Sequence, residues 1–344
     1  MKVIASPAFN NKNNPYNPLL YSEIKKFGLL VEDYSIRKVL FNRISIWHLH
    51  WPDTNLNRKS LIEAFFKTCI LIFLIEYCKI LGTKLIWTAH NIQAHEKRHQ
   101  TLERIFWKYF LKRLDGVINL SAIGKRMLIK KHPIIKQKLN YIIYHGHYQS
   151  AYPNIYSRLK SREKLNIDDK KRVILFLGQI ARYKNVDKLI EIFKSIKDKE
   201  LVLIIAGNPI YPEYEEEIKK SVESEKRIKL FLKFIRKNEI QLFFNSANLA
   251  IFPFTKIFNS GSAILSLSFN CPILVPNIGS MKELQNLFGE SWVKVYKDNL
   301  NDKIILDSIE WSMRNNKNEL PIYKLNWDKI AKKTINAYIN ILNQ

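Results

Sequence analysis

Several signatures are missing from this 344-residue chain, and each absence removes a class of protein. Cysteine is scarce: Cys69, Cys78 and Cys271 are an odd number, with neither a CxxC pair nor Cys/His ligand spacing, so disulfide scaffolds and zinc ribbons drop out and the three read as reduced core residues of a cytoplasmic protein. No apolar run approaches the roughly 20 residues of a membrane span; the most hydrophobic stretch, Leu61–Leu81, is broken by Glu63, Lys67, Glu76 and Lys79. The opening Met-Lys-Val-Ile-Ala-Ser-Pro reads as a first β-strand, lacking the apolar core and cleavage site of an export signal. A Walker A loop, a GxGxxG opening strand one and a GxSxG elbow are all absent, which weakens the cases for phosphoryl transfer, dinucleotide redox chemistry and serine hydrolysis. No repeat of solenoid period and no low-complexity tract occurs.

Acidic residues are also in short supply, with 31 Asp and Glu against 56 Lys and Arg, a net charge of +25. The imbalance is concentrated in front: residues 1–160 hold 26 Lys and Arg against 9 Asp and Glu, or +17. Nucleic acid, anionic lipid and a phosphorylated substrate all suit such a field. A lysine-rich composition with solvated faces accounts for it equally well.

What is present is an alternation of strand-like and helix-like segments in two halves, the length prior for two domains. In front, β-rich runs at Lys2–Ser6, Ser45–His50, Lys84–His90, Gly116–Ser121 and Asn140–Tyr144 are separated by stretches such as Leu61–Leu81 and Thr101–Leu114 with apolar residues at helical spacing. Residues 149–169, with Tyr152-Pro153 and a charged run at 158–164, read as an interdomain connection. Behind it the pattern restarts with strands at Arg172–Gly178, Leu201–Ala206, Ile228–Leu232, Leu249–Phe252 and Ile273–Pro276, a helix at Val186–Ile196, and an amphipathic helix at Trp327–Leu342 that carries Trp327, Ile330, Ala331, Ile335, Tyr338 and Ile341 on one face. The expectation is an α/β protein of two doubly wound domains, 1–155 and 165–325, facing across a cleft, with 326–344 as a helix returning toward the first.

Two segments of the back half suit a diphosphate. Asn259-Ser260-Gly261-Ser262 is a polar turn opening a short apolar helix, so unpaired amides without bulky side chains face an approaching anion, and Arg182-Tyr-Lys184 follows an earlier strand with two cations. All eight histidines lie between positions 48 and 147, mostly at predicted strand ends: His48 and His50, His90, His145 and His147. At a strand end a neutral imidazole can accept a proton or donate a hydrogen bond to a ligand. Zinc gains little support, because the pairs His48/His50 and His145/His147 are expected to point to opposite strand faces, although His95 and His99 have i,i+4 spacing. Asp168-Asp169 sits in the expected connection, poorly placed for magnesium, so the chemistry is expected to need neither metal nor cofactor.

In order and spacing these residues resemble the GT-B glycosyltransferases, specifically the bacterial family-4-like enzymes of cell-surface polysaccharide assembly. The likeness runs through Trp47-His-Leu-His-Trp-Pro-Asp53, Trp87-Thr-Ala-His-Asn91, His145-Gly-His-Tyr148, Leu177–Ile190, Leu203–Gly207, Ala247–Phe254 and Asn259–Ala263 to the terminal helix. The His-Trp-Pro and His-Gly-His-Tyr forms look most like mannosyltransferases of exopolysaccharide or capsule assembly. The resemblance implies a nucleotide diphosphate sugar, GDP- or UDP-linked, on the C-terminal domain and a lipid-linked saccharide acceptor on the N-terminal domain. Lys184, supported by Arg182, would neutralise the departing diphosphate, the amides of Asn259, Ser260, Gly261 and Ser262 would cradle it, and His90 would meet the donor sugar. Ile257 and Leu265 stand where the family carries glutamates, and Gln179 where it carries arginine; Glu283 is the candidate to replace part of that recognition. An inverting mechanism needs a base, for which Asp53 and His90 are the candidates. An undecaprenyl-diphosphate-linked acceptor at the inner leaflet would draw the basic, aromatic front half to an anionic membrane through Leu61–Leu81 and Ile105–Arg113, unless both helices bury those residues in the core. The rival readings are a catalytically silent nucleotide-sugar binder of the same fold and a basic nucleic-acid-binding protein; the second lacks any recognised module, and no nucleic acid is expected.

Overall fold

The structure, a computed structural model, describes residues 1–11, 14–92, 98–314 and 319–344. It divides into two units: Met1–Gly146 with Lys324–Gln344, and His147–Tyr323. The first carries β1 (Lys2–Ser6), α1 (Tyr16–Lys26), β2 (Leu30–Asp33), α2 (Ile36–Phe41), β3 (Ile46–Leu49), α3 (Leu61–Ile80), β4 (Lys84–Ala89), α4 (Gln100–Arg113), β5 (Gly116–Asn119), α5 (Ala122–Lys131) and β6 (Leu139–Ile142). Its six strands pair in parallel in the order β2-β1-β3-β4-β5-β6. Strand order therefore reverses between β1 and β3, which makes the carboxyl ends of those strands the ligand-binding position of a doubly wound sheet.

The second unit carries α6 (Arg158–Lys164), β7 (Arg172–Leu177), α7 (Val186–Ser195), β8 (Leu201–Ala206), α8 (Pro212–Val222), β9 (Ile228–Phe231), α9 (Ile240–Ser246), β10 (Leu249–Ile251), α10 (Gly261–Ser268), β11 (Ile273–Pro276), α11 (Met281–Phe288), β12 (Val293–Tyr296) and α12 (Asp302–Met313). Its order, β12-β11-β10-β7-β8-β9, is that of a Rossmann sheet with its switch point between β7 and β10. The central strands β7, β8, β10 and β11 are buried throughout apart from Arg172, as parallel strands covered on both faces require. The edge strands β2, with Glu32 and Asp33, and β12, with Lys294, break their apolar residues with charged ones and escape a reading based on apolar runs.

The terminal helix α13 (Trp327–Leu342) returns to the first unit. It packs on α1, and Trp327, Ile330, Ala331, Tyr338 and Ile341 join Tyr16, Leu20, Tyr21 and Ile24 in one buried cluster. Ile341 crosses so close to β5 that a Cβ on Gly116 would stand 2.3 Å from its Cδ1.

Two expectations change here. The charged run at 158–164 is the helix α6, not a free connection. It packs on α9, and buried Arg162 donates to the carbonyls of Ser246 (3.1 Å) and Asp169 (2.5 Å) and to Asn248 Oδ1 (3.1 Å). Desolvation draws the Arg162 guanidinium down to about 10, which several acceptors compensate. Among the cysteines, Cys78 and Cys271 are buried but Cys69 is exposed on α3, because its helical face carries no covering element.

Candidate functional site

In the second unit the switch point gathers Lys184, Gly178 and Ser262. The loop after β7 turns through a short 3-10 helix at Arg182–Lys184, and Asn185, in the left-handed region at φ 59, starts α7. This folds the Lys184 side chain back over Gly178: a Cβ on Gly178 would lie 3.4 Å from Lys184 Nζ and 2.7 Å from Ser262 Oγ. Lys184 is 8 % exposed, has no carboxylate partner among the described residues, and lies over the rings of Tyr183 and Phe254, at 5.9 and 5.8 Å. Burial alone draws its ammonium down to about 8. A buried cation without a counter-ion is costly, and an anion is what would relieve it.

Across from Lys184, Ser260 caps α10 by accepting from the Ala263 amide at 3.1 Å. The amides of Gly261 and Ser262 have no protein acceptor among the described residues, so the first turn of this helix presents free donors and the positive end of its dipole. Tyr148 borders the turn, its hydroxyl 3.2 Å from where a Cβ of Gly261 would be, while its own amide donates to Ser268 Oγ at 2.9 Å. Asn259 precedes the cap. Glu283 lies half-buried in the first turn of α11, and that helix start is held against the 257–260 loop at Gly279. Gly279 takes φ +53, with Ile257 O 2.1 Å from where a Cβ would be, so only glycine fits.

Arg182 is not brought into this group. Its guanidinium is clasped by Glu217 at 2.7 and 3.0 Å and lies over the Tyr214 ring at 4.9 Å, largely exposed. The positions where the family carries glutamates also differ in kind: Leu265 is core at 8 % exposure, and Ile257 meets Gly279 through its backbone.

In the first unit four imidazoles converge at the ends of β3, β4 and β6. His48 Nε2 is hydrogen-bonded to Thr88 Oγ1 at 2.7 Å, and its Nδ1 to the hydroxyls of Tyr338 (2.7 Å) and Tyr21 (2.9 Å). Tyr21 OH continues to His50 Nε2 at 2.6 Å, and His50 Nδ1 to His90 Nε2 at 2.9 Å. The chain thus runs from the terminal helix to half-buried His90, whose Nδ1 has no partner among the described residues. Trp51 stacks on the His90 ring at 4.4 Å and Tyr16 meets it edge-on at 4.9 Å. Burial draws His48 down to about 3 and His145 to about 4; it holds His50 and His90 well below the usual range too, with neighbouring imidazoles adding to the effect. All four are neutral at physiological pH.

The expectation that His48 and His50 point to opposite faces is overturned. Their rings stack at 4.5 Å and share Tyr21, because residues two apart on a strand project on the same side. No group of three or more His, Cys, Asp or Glu among the described residues is arranged to hold a metal ion; His95 of the i,i+4 pair lies outside them. Tyr16, Tyr21, Thr88 and Trp327 were missed as site residues. Tyr338 was legible only as the apolar face of a helix. Gly146, inside the His145–Tyr148 motif, is fixed by that helix, since a Cβ there would lie 2.3 Å from the Trp327 ring.

Asp53 sits half-buried in the first turn of a 3-10 helix at Pro52–Asn57. Its carboxylate has no cationic partner among the described residues, and burial, with Glu103 contributing, raises it to about 6. Beside this turn a cavity of about 240 Å³ opens at the β1/β3 switch point, lined by Asp33, Tyr34, Trp47, Trp51, Thr54 and Asn55 among others. Tyr34 stacks on Trp47 at 5.4 Å, and Asp33 Oδ1 accepts the amides of Ala8, Phe9 and Asn10.

Two doubly wound parallel sheets of these orders have the GT-B fold found among glycosyltransferases. The chain belongs to the glycosyl transferases group 1 family, whose pattern matches residues 157–328. It is similar to a GDP-mannose:glycolipid 4-beta-D-mannosyltransferase of Xanthomonas campestris pv. campestris, 23% identical over 338 residues that cover 97% of this chain and 90% of the relative. An uncharacterized glycosyltransferase of Methanocaldococcus jannaschii is 24% identical over 193 residues, 53% of this chain and 48% of the relative. Among solved structures, the fold is shared with a sucrose-phosphate synthase of Thermosynechococcus elongatus (TM-score 0.74, 13% identity, 99% of each chain) and with Anabaena HepE in complex with UDP (TM-score 0.71, 14% identity, 99% of this chain and 100% of that one).

Proposed function

We propose that this glycosyltransferase moves a hexose, with mannose from GDP-mannose the leading case and a UDP-sugar the alternative, onto a lipid-linked saccharide in cell-surface polysaccharide assembly, working at the inner face of the cytoplasmic membrane. The observation that carries the donor half is Lys184: a buried ammonium with no counter-ion among the described residues, beside the open first turn of α10. The β-phosphate of a nucleotide diphosphate would take the Lys184 charge and the Gly261 and Ser262 amides, with Asn259 and Ser260 shaping the turn. Negative charge grows on that phosphate as the glycosidic bond breaks, so the same contacts would strengthen toward the transition state. Glu283, at the start of α11, is placed to take a hydroxyl of the donor. Arg182 would contribute only after leaving Glu217.

On the first unit, Asp53 and His90 divide the acceptor chemistry. Transfer from an α-linked nucleotide sugar to a β-linked product, as named for the Xanthomonas relative, inverts the anomeric carbon and needs a base for the acceptor hydroxyl. A carboxylate raised to about 6 is ionised at neutral pH yet basic enough to take that proton. Neutral His90 is the weaker base, and its open Nδ1 suits a hydrogen bond to the donor sugar. The cavity at Trp47, Tyr34 and Trp51 offers aromatic faces and polar groups of the kind that hold a saccharide.

Thermal unfolding with GDP, UDP, dTDP and ADP tests the donor half. A ligand at about 100 times its Kd adds roughly 2.7 kcal/mol, so a selective rise in Tm with one base is expected. No rise with any of the four would overturn the reading. A catalytically silent binder, favoured by the burial of Leu265 where the family has a glutamate, would show the same rise but no transfer to a lipid-linked acceptor from radiolabelled donor.

A further inference from the structure

The helix α3 is apolar on two opposite faces, and the fold covers only one. Ala64, Thr68, Leu71, Leu74, Ile75 and Cys78 are buried against the first unit. On the other face Ile62, Phe65, Phe66, Ile70 and Phe73 are 69, 51, 62, 45 and 62 % exposed, with Cys69 among them and Ile80 at 82 %. These positions recur at the spacing of one helical stripe, along roughly 30 Å of a 20-residue helix. The stripe is broadened on one side by Phe41, 80 % exposed, where Tyr77 OH donates to the Leu40 carbonyl at 2.9 Å. A continuous surface of this kind on a folded domain marks an interaction site.

Its surroundings select the partner. Along the other edge runs α4, joined to α3 by Tyr109 OH, which donates to Ile72 O at 3.4 Å, and by the Arg113–Glu76 ion pair at 2.6 Å. Its exposed residues include Arg104, Ile105, Lys108 and Lys112. Arg104, Lys108, Lys112 and Lys131 line a cavity of about 690 Å³ beside it. Glu63 and Glu76 are already neutralised by Lys67 and Arg113, whereas Lys59, Arg104, Lys108 and Lys112 have no carboxylate partner among the described residues. A second copy of a chain with net charge +25 would bring the same cations to the same place. An anionic bilayer brings the opposite charge together with acyl chains. No helix among the described residues is long and apolar enough to cross a membrane.

We infer that α3 is an interfacial anchor: its Ile62–Phe66–Phe73 stripe lies in the headgroup and acyl boundary of an anionic membrane, while the α4 cations hold the phosphates beside it. The inference rests on the reading of a lipid-linked acceptor, and it names the surface that would bring the first unit to that substrate. It places the Leu61–Leu81 and Ile105–Arg113 segments neither wholly in the core nor wholly on the membrane. α4 buries Phe106, Trp107, Phe110 and Leu111 and offers Ile105 and its cations, and α3 is split down its length.

Flotation of the full chain with phosphatidylglycerol-containing vesicles, and with phosphatidylcholine vesicles alone, tests it. The wild type is expected to float with the first and remain behind with the second, losing association as salt rises. F66D/F73D, at two exposed positions, is expected to weaken partitioning roughly 100-fold while keeping the nucleotide-induced rise in Tm. Cys69 gives a second readout that needs no substitution, since the other two cysteines are buried: an environment-sensitive fluorophore there should brighten and shift to the blue with anionic vesicles. A wild type that stays behind with anionic vesicles, a variant that floats equally well, or a wild-type dimer that F66D/F73D converts to monomer would each overturn the inference. A donor screen with no Tm rise overturns the proposed function instead and leaves the vesicle result standing.

Discussion

Lowering the pH from about 7.5 to about 5.5 should destabilise the first unit through its neutral imidazoles, and the sign follows from linkage. His48 and His145 are held near 3 and 4 in the folded chain against an ordinary 6.5, so their contribution is fully present above 6.5 and is lost as the pH falls toward the folded values. At pH 5.5 the unfolded chain binds a proton at each site that the folded chain refuses, about 1.4 kcal/mol per imidazole. Both side chains are buried, His48 at 0 % and His145 at 7 % exposure, so solvent screening takes little from this figure. Asp53 opposes it. Raised from 3.8 to about 6, it stabilises below 3.8 and loses that contribution as the pH rises through 6, so acidification returns about 0.8 kcal/mol. The net loss is about 2 kcal/mol before His50 and His90, which act in the same direction. For a unit of this size that corresponds to a fall in Tm of roughly 4–8 °C. Calorimetry at the two pH values measures it, and nitrogen NMR of the imidazoles shows the cause directly. A Tm that does not move, or four rings that titrate near 6.5, would refute the account of a buried neutral cluster.

Three further outcomes are expected. Lys184→Ala should reduce transfer at least about 100-fold without lowering Tm, since it removes an uncompensated buried charge; in the wild type, nucleotide affinity measured by calorimetric titration should weaken as the pH rises through 8, where the free amine loses its proton. Gly146→Ala places a methyl group 2.3 Å from the Trp327 ring and should cost about 1–3 kcal/mol, visible as a lower denaturation midpoint. Asp53→Asn should lower kcat by about 10²–10⁴ and abolish the acidic limb near pH 6 in kcat/KM; a variant with full activity and an unchanged profile would remove Asp53 as the base.

The order and type of most elements were legible in the sequence because parallel strands covered on both faces are written as short continuous apolar runs, and β7, β8 and β11 fall where those runs lie. The Gly/Ser turn before α10 was equally plain, since its signal is local: a capping serine followed by small residues. Edge strands β2 and β12 were not, because each is short and only partly covered, and charged residues interrupt its apolar ones. Everything that depends on side chains meeting across long sequence separations came from the tertiary structure alone. Tyr338 reaches His48 over 290 positions and Lys2–Ser6 lies between strands from later in the chain; no spacing rule encodes such pairs. The same holds for charge and burial. The sequence offers Arg182 and Lys184 as equals, but packing gives one to Glu217 and leaves the other buried with no carboxylate partner among the described residues. Periodicity marks α3 as apolar, and only the placement of its neighbours decides that one of its two faces stays uncovered, because exposure is a property of what packs nearby and not of the residue itself.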